Sequence, residues 1–285
     1  MAWIELDGVG INYDLMGPES GPPVVLTPGG RFSKDATGVP QLAALLAEAG
    51  LRVLIWDRPN CGASDLHFAG PSESGMQASF LVKLLRALEL GPVSLIGGSA
   101  GARISLFTAY QAPEAIAGMM LCWISGGLIS MMRLGSYYCC EPAEEAALKG
   151  MHAVAAMPIW TQQLAANPRN RDYMLGFDRD AFIAQMERWA AGYIPSPDTP
   201  VGGIPKADFA RLTMPTRILR GSPRDLDHPG WVCEQVAELM PNAKLVDPPW
   251  NIDIFADRMN DGKGLFSDWP MLTEDVIAFV REVKG

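Results

Sequence analysis

The stretch Gly97-Gly98-Ser99-Ala100-Gly101 stands where an apolar run turns into a helical pattern, and it constrains the fold more than any other feature of the chain. Val93-Ser94-Leu95-Ile96 before it is short and apolar, which reads as a buried strand. The residues after it carry helix-spaced apolar side chains from Ala102 to about Pro113. A turn this tight forces its central residue into a strained backbone conformation. Glycines two positions before and after the serine leave room for neighbouring chain, so the spacing predicts a hydroxyl that projects from the end of a sheet above a helix N-terminus. Ser99 is therefore a candidate nucleophile. Five small residues also suit an ordinary loop or an anion-binding helix start, so their weight depends on what surrounds them.

Two more units of the same kind precede it. The strand-like run Pro23–Thr27 leads into Pro28-Gly29-Gly30-Arg31, and Leu51–Trp56 leads into Asp57-Arg58-Pro59-Asn60-Cys61-Gly62-Ala63-Ser64-Asp65. Helical patterns at Val39 to Ala49 and Gln77 to Leu88 separate the units, which predicts an α/β chain with a parallel sheet and crossover helices. An N-terminal strand pair is expected at Ala2–Leu6 and Gly10–Met16, and another strand at Ala117–Trp123. From Gly126 to about Leu212 the pattern turns helical, with amphipathic stretches near Ala143 to Ala156 and Arg179 to Ala191. Pro, Gly and Asp gather between Pro195 and Pro205. Strand patterns return at Met214–Arg220 and Ala243–Val246.

The Pro28-Gly29-Gly30 turn, the Asp57–Ser64 segment and the serine elbow, in this order and spacing, resemble the α/β-hydrolase superfamily, in particular a capped member with a serine nucleophile. The match is close over about the first 125 residues and looser from Thr216 onward. The resemblance implies the α/β-hydrolase fold, a mostly parallel central sheet with helices on both faces. The hydrolase core would comprise 1–125 and 213–285. A helical cap, 126–212, would follow the sixth strand and close over the strand ends where open α/β sheets bind ligands. That segment is rich in large apolar side chains: Met131, Met132, Tyr137, Tyr138, Met151, Met157, Trp160, Tyr173, Met174, Phe177, Phe182, Met186 and Trp189. Each can pack the segment on the sheet; as a set they predict a pocket for a small hydrophobic or aromatic substrate.

A serine hydroxyl needs a base to take its proton and an oriented acid behind that base. Donors for the developing oxyanion are expected from the backbone amides of Gly30 and Ala100, although Gly30 also reads as a plain turn glycine. Most α/β-hydrolases carry their histidine after the last strand. Here that loop, Asp247-Pro248-Pro249-Trp250-Asn251-Ile252-Asp253, has none. The chain has three histidines, His67, His152 and His228. His228 is the preferred base, because Asp225-Leu226-Asp227-His228-Pro229 follows the strand ending at Arg220, in the loop from which the family normally supplies its acid. Its alternative is a solvated residue ahead of a helix. Asp225 is the preferred acid and Asp253 its rival, the latter implying that acid and base have exchanged loops. Asp57 reads as a turn residue with Arg58 as its candidate partner, and Asp65 as a solvated loop carboxylate.

The formal charge of −9 argues against nucleic acid or an anionic membrane as partner. No run of 18 apolar residues and no signal-peptide pattern is present, so a cytoplasmic location is the expectation. Cys61, Cys122, Cys139, Cys140 and Cys233 lack metal-ligand spacing and read as reduced thiols in the core, although the adjacent Cys139 and Cys140 are also a candidate redox pair. No cofactor and no metal is expected, since no dinucleotide or phosphate-loop fingerprint and no close histidine pair occurs. A homodimer is left open as a partner state. Two functions remain. The first is a serine hydrolase of an ester, lactone or related acyl bond, carboxylesterase- or lactonase-like, with a carbon-carbon bond hydrolase as a subtype. The second is a non-hydrolytic protein of the same fold: a lyase, a cofactor-free oxygenase or a ligand-binding protein.

Overall fold

Strands covered on both faces read as unbroken apolar runs, and β5 (Val93–Gly98), buried at every position, is the extreme case here. The computed structural model describes residues 2–194 and 200–284. Around β5 lie β1 (Ala2–Leu6), β2 (Val9–Met16), β3 (Pro23–Thr27), β4 (Arg52–Trp56), β6 (Ile116–Cys122), β7 (Thr216–Leu219) and β8 (Ala243–Val246). They form one sheet in the order β1-β2-β4-β3-β5-β6-β7-β8. The pairings β1/β2 and β2/β4 are antiparallel and all later ones parallel. This is the α/β-hydrolase fold.

Side-chain alternation sends successive residues to opposite faces. Val25, Leu54, Leu95 and Met119 join one core; Val24, Leu26, Val53, Ile96 and Met120 join the other. The first core is closed by α2 (Glu73–Ala87) and α3 (Ala100–Gln111), and the second by α1 (Val39–Glu48). Helix α2 starts four residues earlier than its apolar pattern predicts. Ser72 caps it by accepting from the Gly75 amide at 3.1 Å, a polar signal that the apolar periodicity misses.

Between β6 and β7 the chain forms a helical insertion: α4 (Leu128–Gly135), α5 (Glu141–Lys149), α6 (Met151–Ala155), α7 (Thr161–Ala166), α8 (Arg169–Gly176) and α9 (Arg179–Ala191). The predicted helix near 143–156 is broken at Gly150, whose φ of 80° ends α5. Residues 136–140 form a wider turn that keeps α4 and α5 continuous and carries Tyr137 and Tyr138. After β7 follow α10 (Gly230–Leu239), α11 (Ile254–Asp261) and α12 (Thr273–Lys284), with α12 on the α1 side of the sheet. Residues 195–199 of the predicted Pro/Gly/Asp-rich stretch lie outside the described residues.

The insertion is clamped to the loop after β4. Phe68 enters a cluster of Trp160, Tyr173, Phe177, Phe182 and Trp189, with ring centres 5.2 to 6.1 Å from its own. Fully burying a phenylalanine ring such as Phe182 contributes roughly 1.5–3 kcal/mol relative to exposure. Asp65 is no solvated carboxylate. It accepts from the Gly10 amide at 2.6 Å, Asn167 at 2.8 Å and Arg169 at 3.0 Å, tying the insertion to the sheet edge.

Candidate active site

Ser99 follows β5 with φ 58° and ψ −120°, the strained conformation that the sequence predicts. Its amide donates to Cys122 O at 3.0 Å, which fixes the corner to β6. A Cβ on Gly101 would collide with the backbone oxygen of Thr27, and one on Gly29 with Ser99 itself, so both positions require glycine for close approach.

An imidazole stands beside the hydroxyl. His228 Nε2 lies 2.7 Å from Ser99 Oγ, and His228 Nδ1 lies 2.9 Å from Asp225 Oδ2. The same aspartate accepts through Oδ1 from the amides of Asp227 at 2.9 Å and His228 at 3.0 Å, a turn closed by its own side chain. Burial by itself would raise the Asp225 carboxyl, but the hydrogen bonds and charge of His228, together with the two amides, hold it below the usual carboxylate range. An ionised carboxylate only accepts, so the imidazole proton sits on Nδ1 and Nε2 is free to accept from the serine.

The other histidines stand elsewhere. His67 packs edge-on against Phe80 with ring centres 5.3 Å apart, and burial followed by the nearby Lys83 charge lowers its pKa. His152 is exposed on α6. Asp253 is not behind the imidazole either. It accepts from Ser222 Oγ and, at 3.2 Å, from Arg224, so it braces the loop that carries His228. The ring of Phe255 meets His228 edge-on instead, with centres 4.3 Å apart.

Gly30 and Ala100 both border the cavity in front of Ser99, and among the described residues neither amide has an acceptor. The Gly30 loop is held from behind by Arg58. Its guanidinium donates to Pro28 O, to Gly29 O at 3.3 Å, to Gly30 O at 3.0 Å and to Phe32 O at 3.1 Å. Arg58 is thus not the partner of Asp57. The Asp57 carboxylate accepts from the amides of Lys34 at 2.7 Å and Ala63 at 2.9 Å, as a turn residue does. Arg31, next in the loop, is anchored to Glu73 at 3.2 and 3.3 Å.

The cavity measures about 550 Å³. Of the apolar side chains singled out in the insertion, Tyr137 and Tyr138 border it, whereas Trp160, Met174, Phe182, Met186 and Trp189 are fully buried in the core. Much of its apolar wall comes from residues that sequence reasoning missed: Phe32, Phe255, Met259, Leu265 and Phe266. The last four belong to the segment after β8, which the family pattern marks for a histidine and not for a cavity wall. Arg103 and Tyr193 were missed too, because each resembles an ordinary helix-face residue in sequence. The cysteines are all free. Four are buried as expected, but Cys140 is exposed and unbonded to Cys139.

No helix among the described residues is long and apolar enough to cross a membrane. Among the same residues no cluster of three His, Cys, Asp or Glu side chains is placed to hold a metal ion.

The profile of the alpha/beta hydrolase family matches residues 24–258, so the chain belongs to that family. No sequence among curated proteins matches it. Similar solved structures include Est816, described as an N-acyl homoserine lactone degrading enzyme, at 18% identity and TM-score 0.59, covering 98% of this chain and 100% of that one. An esterase from Exiguobacterium antarcticum matches at 18% identity and TM-score 0.60 over 98% of both chains. The enol-lactonase from Burkholderia xenovorans LB400 matches at 17% identity and TM-score 0.58, over 99% of this chain and 98% of that one. At such identities the likeness is one of fold.

Proposed function

We propose that the protein is a serine hydrolase that cleaves an ester, lactone or related acyl bond through an acyl-enzyme on Ser99. The single observation that carries this reading is the 2.7 Å approach of His228 Nε2 to Ser99 Oγ, backed by Asp225. Nε2 takes the hydroxyl proton as Oγ bonds to the substrate carbonyl carbon. The carbonyl electron pair moves onto oxygen, where the amides of Gly30 and Ala100 stabilise it. Each such donor is worth about 3–4 kcal/mol of barrier. The pair then returns, the bond to the leaving oxygen breaks, and the imidazolium gives that oxygen its proton. Water repeats the sequence to release the acid. The Asp225 carboxylate holds the tautomer and stabilises the imidazolium throughout.

In this reading the insertion, 126–212, is a cap: its Leu134, Tyr137, Tyr138 and Tyr193 line the cavity together with Phe255 and Phe266 from outside it. Such walls suit a small, largely apolar acyl or aryl group. The esterases and lactonases among the similar structures are consistent with this chemistry. The non-hydrolytic reading drew its support from the missing histidine after β8, and an imidazole that reaches Ser99 from the loop after β7 removes that support.

The test is direct. A fluorophosphonate probe should label wild type and not Ser99→Ala, and p-nitrophenyl butyrate should be turned over by wild type alone. An unlabelled Ser99, with equal turnover in both proteins, would end the proposal.

A further inference from the structure

Three arginines near the candidate site are buried: Arg58 spends its donors on the carbonyls of the Gly30 loop, and of the other two only one has a counter-charge among the described residues. Arg31, 7% exposed, is paired with Glu73. Arg103, 5% exposed, sits one helical turn past Ser99 on α3 and borders the same cavity. Its Nη2 donates to Ser74 Oγ at 2.6 Å, Nη1 approaches Met131 Sδ at 3.6 Å, and its guanidinium carbon lies 4.8 Å from the centre of the Tyr193 ring. Among the described residues its Nε has no acceptor.

Every one of these partners is neutral. Burial pushes the Tyr193 phenol up to about 12, so it stays protonated. Among the described residues no carboxylate lies within ion-pair distance of Arg103. Glu73 is engaged by Arg31 and Asn60, and Asp227, at the cavity edge, by Arg133. Glu141 borders the cavity but is exposed, where solvent screens it.

A guanidinium cannot escape burial by losing its proton, and a desolvated cation without a counter-charge is costly. Arg103 also keeps its Nε–H unspent, on a side chain that borders the same cavity as Ser99. A planar fork of that kind is matched by a carboxylate, which accepts two parallel bonds. Resting on the hydrolase reading above, we propose that the substrate is an ester or lactone bearing a carboxylate, and that Arg103 is its receptor. The apolar walls hold the rest of the molecule, so the substrate class is an amphipathic half-ester or acid-bearing aryl ester and not a neutral lipid-like ester.

Matched substrates test this. The p-nitrophenyl ester of glutaric acid, with its free carboxylate, is compared with p-nitrophenyl pentanoate, which places the charge on the acyl side. In the second pair, 4-acetoxybenzoate is compared with its methyl ester, which places the charge on the leaving side. In at least one pair wild type should favour the anion in kcat/KM by about tenfold or more, the yield of a charge-assisted hydrogen-bond pair. Arg103→Gln should bring that ratio close to one, and Arg103→Lys should retain part of it. A variant that folds poorly lowers both rates together and leaves the ratio unmoved. A second readout needs no turnover: glutarate and benzoate should raise the melting temperature of Ser99→Ala and not that of Ser99→Ala/Arg103→Gln. Equal rates within both pairs in wild type, with no melting shift from either acid, would overturn the proposal. If instead none of the four esters is cleaved and Ser99 resists labelling, the hydrolase reading fails, and the melting shifts still decide whether Arg103 receives a carboxylate.

Discussion

The loops after β7 and β8 end neighbouring strands and do opposite work. The first carries Asp225 and His228 three residues apart, and its imidazole reaches Ser99. The second supplies Asp253 and Phe255, which hold that loop and wall the imidazole. The resembled family divides acid and base between the two loops, so that two separate chain segments must meet beside the serine. Here Asp225 and His228 meet locally: Asp225 closes a turn on the amides of Asp227 and His228, and Pro229 then fixes the entry to α10. Orientation of the ring is settled within one tetrapeptide. Strand order favours the arrangement as well, since β7 lies one strand nearer to β5 than β8 does.

The contrast is broken most forcefully at His228. His228→Ala should lower kcat toward an ester substrate by roughly 10⁴–10⁶-fold, with residual rate from the oxyanion donors alone. Steady-state kinetics with p-nitrophenyl butyrate measures this, and a variant within tenfold of wild type would show that the first loop is not the source of the base. Asp225→Asn should cost roughly 10³–10⁴-fold, because an amide that donates to Nδ1 selects the tautomer that cannot accept from Ser99. Asp253 offers no such tautomer control, so the exchanged-loop arrangement would instead place the large loss there.

The sheet and elbow were legible in the sequence because a strand buried on both faces must be almost continuously apolar, and β5 is. The contact between Asp225 and His228 was legible because it is local, written as Asp225-Leu226-Asp227-His228-Pro229. The cavity was not, since a buried methionine or ring in the insertion has the same pattern whether it packs a core or lines a pocket. Trp160 and Phe182 went to the core around Phe68, and Phe255 and Phe266 came to the cavity from a distant segment. Arg58 shows the same limit. Its neighbour Asp57 was the obvious partner along the chain, but the fold offered it four carbonyls of the Gly30 loop.

Acid stability sharpens the contrast on a smaller scale. The native Asp225 carboxyl releases its proton more readily than an unfolded aspartate, so its contribution to stability is complete above an unfolded value of about 3.9. It is lost as the pH falls through the lowered native value. Thermal melts of wild type and Asp225→Asn should therefore differ most near neutral pH and converge in acid. A gap that widens on acidification would mean that the carboxylate is not stabilised by the loop it closes.

The smallest effect belongs to the second loop. Asp253→Ala removes the acceptor for Ser222 Oγ and Arg224 but touches neither the imidazole nor the hydroxyl. The lost hydrogen bonds should cost about 1–2 kcal/mol. For a chain of this size that lowers the melting temperature by about 2–4 °C per kcal/mol. Because the brace acts on residues 222–224 and the turn at Asp225 closes independently of it, kcat should stay within about threefold of wild type, far from the loss expected at Asp225. Scanning calorimetry together with kinetics on the same preparation separates the two quantities. A large fall in kcat with an unchanged melting temperature would reverse the assignment of the loops, making the second the bearer of the acid and leaving Asp225 as the brace.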